Sequence, residues 1–391
     1  MPDQVLPPES IQSIVFHQTG NPQSAPIIKL ESSQTLTLEF DYLKEEADLF
    51  TVKISHRNAD WSESGLMANN FLTDMYKGFI SVGAQSRVQD PSYSHFSYTF
   101  PNRNFGMKVS GNYMLEVYLN DSDELLFSLP FFVHEDNGNL ETNIQTLFNL
   151  QAREFRKAHQ PFSAFRYPNF VQNPRLDLSY YYVQNEFWGR AKKVEIFDDA
   201  SSGKINFHLS RERSFNATYT FFELDLENFD VDGQRIRKVN EERTPPQVQL
   251  YRDVINLNDL PVFTSRSRFG QPNSDRFSRY ANVQFSLDTP NSFNTNQDIF
   301  LVGDFNNWGI QEANRMVYDQ ATGLWRGDAF TKQGRYTYKY VSINRNNYRV
   351  DDVLFDDIFG DVFQNYTVFV YFEDPQKFFT RLLAFQRLKA N

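Results

Sequence analysis

Few residues in this chain have the types and spacing that could do chemistry. "FLVGDFNNWG" at 300–309 puts a tight polar turn and Trp308 after an apolar run. Such a turn can present an indole as a platform for a sugar ring. "NFDVDGQ" sets Asn228, Asp230, Asp232 and Gly233 at the spacing that opens a calcium loop, but Val239 stands where the closing bidentate glutamate belongs. Asx residues before glycine form turns by themselves, and a turn is the preferred reading. "RVDDVLFDDIFGD" carries five aspartates. Asp351/Asp352 and Asp356/Asp357 could draw a cation, whereas the plainer and preferred reading is a solvated loop between strands. The six histidines, His17, His56, His95, His134, His159 and His208, never pair at a metal-ligand spacing. Each reads as a surface or hydrogen-bonded side chain. Two N-glycosylation sequons, Asn216-Ala217-Thr218 and Asn365-Tyr366-Thr367, matter only on a eukaryotic secretory route.

The motifs of the common catalytic machineries are missing. There is no glycine-rich phosphate loop, no HExxH and no GxSxG. With no cysteine, the chain has no thiol nucleophile, disulfide or thiolate-metal site. Acidic residues are so numerous that a pair at glycosidase spacing carries no weight. The expectation is a non-enzymatic protein with no catalytic, cofactor or metal residues. Its partner-contact residues cannot be read from the sequence.

The 391 residues suffice for two to four domains. A net charge of −10 lacks the basic footprint of a general nucleic-acid binder and is read as solubility. No run of about 18 apolar residues offers a membrane-spanning helix. "MPDQVLPPES" has neither a charged n-region nor an apolar h-region. It reads as a mature N-terminus carrying an added Met, with a signal peptide presumed removed.

Aromatic residues make up 16% of the chain, a bias that suits pleated, half-buried surfaces. "QTLTLEFDYL" puts Leu36, Leu38 and Phe40 on one face; "DLFTVKISH" continues with Phe50, Val52 and Ile54, and "SGNYMLEVYLND" with Tyr113, Leu115, Val117 and Leu119. Period two between turn residues is the strand signature, and its repetition predicts a sandwich. "QTLFNLQAREFRKAH" and "KFFTRLLAFQRL" fit helix or strand by period. For the first, strand is preferred because its neighbours alternate. Polar stretches at 134–143 and 264–280 suggest boundaries. The expectation is an all-β chain of tandem immunoglobulin-like β-sandwich domains: residues 1–135, 136–275 and 276–391.

Two resemblances bear on function. "GDFNNW" followed by "GRYTYKYVSI" resembles the early-set immunoglobulin-like module of glycogen-binding domains and of proteins with amylase-type catalytic domains. It covers about the last quarter of the chain and implies that the last domain is of early-set type. In sugar-binding members a Trp stacks on glucose and a Lys bonds it. Trp308 and Lys339 match these two, a second Trp is missing, Tyr348 lies two places late, and Asn365 falls where a polar contact would be.

A broader resemblance covers nearly the whole chain. "ISHRNADW", "KGFISVG", "YSHFSYTFPN", "MKVSGNYMLEVY", "NPRLDLSYYYVQNEFW" and "NRMVYDQATGLWRGDAFTKQGRYTYKYV" together resemble the plug protein family of the type IX secretion translocon. That family has a last strand where "FFTRLLAFQRL" falls, which favours an extended reading there. The resemblance implies a periplasmic plug associated with the outer-membrane translocon, a giant β-barrel. The plug closes the barrel's periplasmic opening when no substrate-carrier subunit is engaged. Under that reading Trp61, Trp188 and Trp308 are fold anchors, Trp308 capping one end of the last sandwich with Asn306 and Asn307 making the turn. The alternative is a glycan-binding accessory protein that uses Trp308 and Lys339 to hold an α-glucan. Convergence of Trp308, Lys339 and Tyr348 on one open face would favour it.

Overall fold

The period-two alternation becomes stacked, mostly antiparallel sheets, with parallel pairs at Ile27–Lys29, Gln247–Leu250 and Asp253–Val254. A computed structural model describes residues 3–44, 49–89, 91–120, 124–148, 157–201, 203–231, 235–254, 271–272, 276–289, 296–356 and 363–391. In the first sandwich one sheet runs Ile11–Gln18, Leu36–Tyr42, Ser94–Phe100, Gly83–Gln85. The other runs Ile27–Lys29, Leu125–His134, Gly111–Leu119, Phe50–Arg57, Gly78–Ile80. Leu36, Leu38, Phe40, Phe50, Val52, Ile54, Tyr113, Leu115 and Val117 meet in one core, as their spacing predicts.

The second sandwich packs a sheet of Asn139–Phe148, Lys157–Arg166, Lys204–His208 and Ile196–Ser201 against Lys192–Lys193, Leu178–Gln184, Gln364–Asp374 and Phe379–Ala390. The described parts of the ambiguous stretches are extended: 145–148 and 157–159 belong to the strands 139–148 and 157–166, and 379–390 is a strand. Residues 149–156 lie outside the described residues.

Strand pairing does not follow the expected division at 275/276. Gln364–Asp374 pairs with Leu178–Gln184 from Leu178↔Phe372 to Gln184↔Tyr366, so the last two strands complete the second sandwich. The cause lies in which faces are buried. Tyr180, Tyr182, Val368, Val370 and Phe372 face the core of the second sandwich. The alternate residues Tyr181, Val183, Phe369 and Tyr371 pack with Phe132, Met114 and Trp61 of the first. A sheet buried on both faces needs strands without polar alternation, and "YYYV" and "YTVFVYF" are such runs.

The third sandwich lies within 222–351. One sheet runs Phe222–Asp225, Gly334–Asn344, Gln271–Pro272, with Gln297–Gly303 and Val350–Asp351 also on Gly334–Asn344. The other carries Ile236–Asn240, Gln247–Leu250, Tyr280–Asp288, Leu324–Lys332 and Val317–Asp319, with Asp253–Val254 beside Tyr280–Asp288. The fold is all-β, built of tandem sandwiches.

Candidate functional site: the junction of the three sandwiches

Each sandwich touches both others, and the residues that join them are mostly buried. The first meets the third through Asp41, on the face of its strand opposite Phe40. Lys332 Nζ and Tyr280 Oη both donate to Asp41 Oδ2 at 2.7 Å, and His95 Nδ1 lies 2.7 Å from Oδ1. Asp41 and Lys332 are 0% and 1% exposed, and the ammonium sits 4.3 Å from the Tyr93 ring centroid. A buried pair of this kind is tolerated only when every lone pair and proton finds a partner.

The first meets the second through packed aromatics, one pair stacked and the others edge-on. Phe132 lies 4.6 Å from Phe369 and 5.0 Å from Trp188, with Trp61 5.5 Å from Phe132. Arg381 adds a forked contact to Glu135 at 2.8 and 2.7 Å.

The second meets the third where the chain crosses between them, at 217–221 and on its return near 364. Lys339 is buried there; it donates to Thr220 O at 3.0 Å, pairs with Asp356 and lies 3.8 Å from the Tyr219 ring. Arg190 and Tyr219 both bond Asp352. Gln364 donates to Tyr219 O at 2.8 Å and accepts from Asn185 at 2.7 Å. Burial pushes Asp356 up to about 6 although Lys339 opposes it. Burial also works on Asp352, but Arg190 and Lys339 win and hold it below the usual carboxylate range.

These contacts correct two expectations. The aspartate-rich stretch is not a solvated loop over its described part, because Asp352 and Asp356 point inward as anchors between sandwiches. Asp357 and Asp361 lie outside the described residues, as do Asp232 and Gly233 of the candidate calcium turn. Lys339 does not converge with Tyr348 on an open face: its ammonium is committed to Asp356 and Thr220, while Tyr348 is 80% exposed. The reason is topological. Lys339 sits on a strand covered by the crossing segment 217–221, and no local pattern announces that cover.

Trp308 is half-buried rather than a cap on the end of its sandwich. Asn306 and Asn307 make the turn: buried Asn306 bonds Leu301 O at 3.0 Å and Asn314 at 2.9 Å, and Asn307 adopts the left-handed conformation at φ 50°. The indole donates to Asp304 Oδ1 at 2.9 Å and packs edge-on to Phe221 at 5.3 Å and Phe187 at 5.6 Å. It is therefore a wedge between the third and second sandwiches. Trp61 and Trp188 are buried in the contact between the first and second. Asn365 is engaged with Asn185, its amide N–H donating to Asn185 Oδ1 at 3.1 Å. Trp308→Ala is expected to cost about 2–3 kcal/mol in urea unfolding, below the value for a fully buried Trp.

Among the described residues no three His, Asp or Glu side chains gather as metal ligands. His56 and His159 are almost fully buried, His56 Nε2 lying 3.1 Å from Ser110 O and His159 Nδ1 2.9 Å from Tyr366 Oη. Burial lowers each to about 4 from the ordinary 6.5. The folded state then binds fewer protons than the unfolded chain between those values. The stability these rings contribute is full above pH 6.5 and is lost as pH falls toward 4. Asp356, raised to about 6 from 3.8, acts in the opposite sense below pH 6, one group against two. The expected result is a lower melting temperature at pH 5 than at pH 8, with a smaller drop in His159→Gln.

Where the three sandwiches come together, a cleft of ≈ 430 Å³ opens. Its walls are Ile14–Phe16, Pro26 and Pro130 of the first, Glu186–Arg190 of the second, and Asp304, Asn307 and Trp308 of the third. Both flanking turns contain non-glycine residues at positive φ: Asn185 and Glu186 in one, Asn307 and Trp308 in the other. Such backbone persists only where the surroundings over-determine it. Trp61 and Trp188 were legible as anchors; Asp41 and Lys332 were not, because a single charge inside an alternating strand reads as a solvent-facing residue, and Asp356 was read as part of a solvated loop.

Comparison with known proteins places this geometry. A hypothetical protein from Parabacteroides merdae has the same fold, with a TM-score of 0.88 over 99% of each chain at 19% identity. A 1,4-alpha-glucan branching enzyme from Clostridium perfringens is 32% identical over 111 residues, 27% of this chain; the chain spans only 15% of that enzyme's length. Residues 11–135 match the model of the type 9 secretion system plug protein first domain. Over that stretch, about a third of the chain, the first sandwich is similar to the first domain of type 9 secretion system plug proteins.

Proposed function

We propose that the chain is a non-enzymatic plug that closes the periplasmic opening of the giant outer-membrane β-barrel of type IX secretion when no substrate carrier is engaged. The observation that carries this reading is the mutual locking of three sandwiches through buried contacts on all three interfaces. A body that blocks a wide pore must hold its shape against the pore wall, and shape complementarity rather than a reactive pocket does the work. For that role we divide the chain by strand pairing: 1–135; 136–216 together with 363–391; and 217–356. A periplasmic location follows from the role. Among the described residues no helix is long and apolar enough to cross a membrane.

The test is affinity purification of the tagged protein from detergent-solubilised membranes of its host, with and without the carrier subunit. Recovery of the large barrel, increased in cells lacking the carrier, is the expected result. Recovery of the protein alone from both strains would overturn the reading.

A further inference from the structure

We propose that the chain pairs with a second copy of itself along the free edge of Asn139–Phe148, the two strands running antiparallel about a two-fold axis at Ile144. The inference goes beyond the plug reading and does not depend on it.

The first ground is that this edge lacks the protection the others have. Asn139–Phe148 ends its sheet and pairs, among the described residues, only with Lys157–Arg166. An open edge is a template for another strand unless it is short, bulged, covered or charged. Ile11–Gln18, Ile196–Ser201 and Ile236–Asn240 each shift register partway along. Phe379–Ala390 shifts register beside Val370, carries Arg387 and Lys389, and is covered at Leu382 and Leu383 by main-chain bonds from Glu135 and Asn137. Gln297–Gly303 is covered at Ile299, whose carbonyl accepts from the Met316 amide at 2.8 Å. The remaining edge strands among the described residues have four residues or fewer. Asn139–Phe148 has ten residues and holds its register throughout. It contains no lysine, arginine or proline, and Glu141 is its one charge.

The second ground is the direction of its main chain. Lys157 O accepts from the Ala217 amide at 3.1 Å, on the side of its strand away from Asn139–Phe148. Main-chain groups along a strand turn to alternate sides. Ala158, Gln160, Phe162, Ala164 and Arg166 therefore turn toward their partners Leu147, Gln145, Asn143, Glu141 and Asn139. Pro161, which has no N–H to give, stands opposite Ile144, between those pairs. The N–H and C=O groups of Leu140, Thr142, Ile144, Thr146 and Phe148 are left facing the free edge.

The third ground is that this edge complements itself. A two-fold axis through Ile144 sets each outward N–H of one copy against an outward C=O of the other and keeps the faces of the joined sheet in line. On the core side, where Leu140 and Ile144 pack, Ile144 meets Ile144, Thr142 meets Thr146, and Leu140 meets Phe148. On the other side Asn143 meets Gln145, and Glu141 meets Leu147. No like charges stand opposite each other, and Phe148, 65% exposed, gains an apolar neighbour.

The experiment is sedimentation velocity on the full chain from about 1 to about 200 µM, a range chosen because a single strand pair is smaller than a standard interface. A concentration-dependent dimer is expected. Thr146→Pro removes an N–H from the free edge without touching the ladder to Lys157–Arg166, and should abolish the dimer over this range. Leu147→Glu sets like charges against Glu141 twice and should weaken the dimer by about tenfold. Adding Glu141→Lys to Leu147→Glu sets opposite charges there, and should restore the affinity to within about threefold of the wild type. Each variant is checked for an unchanged melting temperature at the lowest concentration, so one misfolded variant leaves the others. A wild type that stays monomeric throughout overturns the proposal and leaves the edge to a strand of another protein. A dimer that survives both single variants also overturns it. A dimer lost in Thr146→Pro but unchanged in Leu147→Glu overturns the register at Ile144.

Discussion

Lys332→Met is expected to destabilise the protein by about 3–5 kcal/mol and to split its thermal unfolding into two transitions. Asp41 is fully buried and holds Lys332, Tyr280 and His95. Removing the ammonium leaves a carboxylate in a low-dielectric contact without its counter-charge. Uncompensated burial, rather than loss of the attraction itself, sets that magnitude. The lesion falls between the first and third sandwiches, so the third should lose its coupling to the first while both keep their own cores. Differential scanning calorimetry reads this as a separate, earlier peak. Pairing Lys332→Met with Asp41→Leu removes both charges, and most of the lost stability should return. A single transition in Lys332→Met with an unchanged midpoint would show that this pair does not couple the sandwiches.

Trp188→Ala is expected to cost about 3–5 kcal/mol, the range for a buried Trp. Trp188 is 5% exposed and packs against Phe132 of the first sandwich at 5.0 Å and Phe369 of the second at 5.9 Å. It also lines the cleft, so the void left by its removal adjoins the cleft. Two effects should appear together: a lower urea midpoint, and weaker coupling of the first two sandwiches, seen as faster amide exchange in Leu178–Gln184 and Gln364–Asp374. Loss of stability with unchanged exchange in those strands would place the damage inside one sandwich instead. Phe132→Leu probes the same contact from the other side and should reproduce the exchange effect more mildly.

The sequence by itself determined the class of fold. Side chains on a strand alternate faces, so Leu36, Leu38 and Phe40 or Tyr113, Leu115 and Val117 could only share one core. The turn at Asn306–Asn307 and the anchor roles of Trp61 and Trp188 were legible for the same local reasons. The tertiary structure decided everything that depends on which outer face meets which. "YTVFVYF" announces a strand buried on both sides but not that its partners lie in the second sandwich, because pairing over nearly two hundred residues leaves no local pattern. Lys339 and Trp308 matched a sugar-binding pair only as the alternative reading; the segment 217–221, folded across Lys339, turns that residue into a clamp with Asp356. Asp41 and Lys332, single charges on opposite-facing positions of alternating strands, read as solvated until the first and third sandwiches close over them. Alternation fixes what points inward within a sheet pair. Only assembly fixes which outward-pointing side chains lose their water.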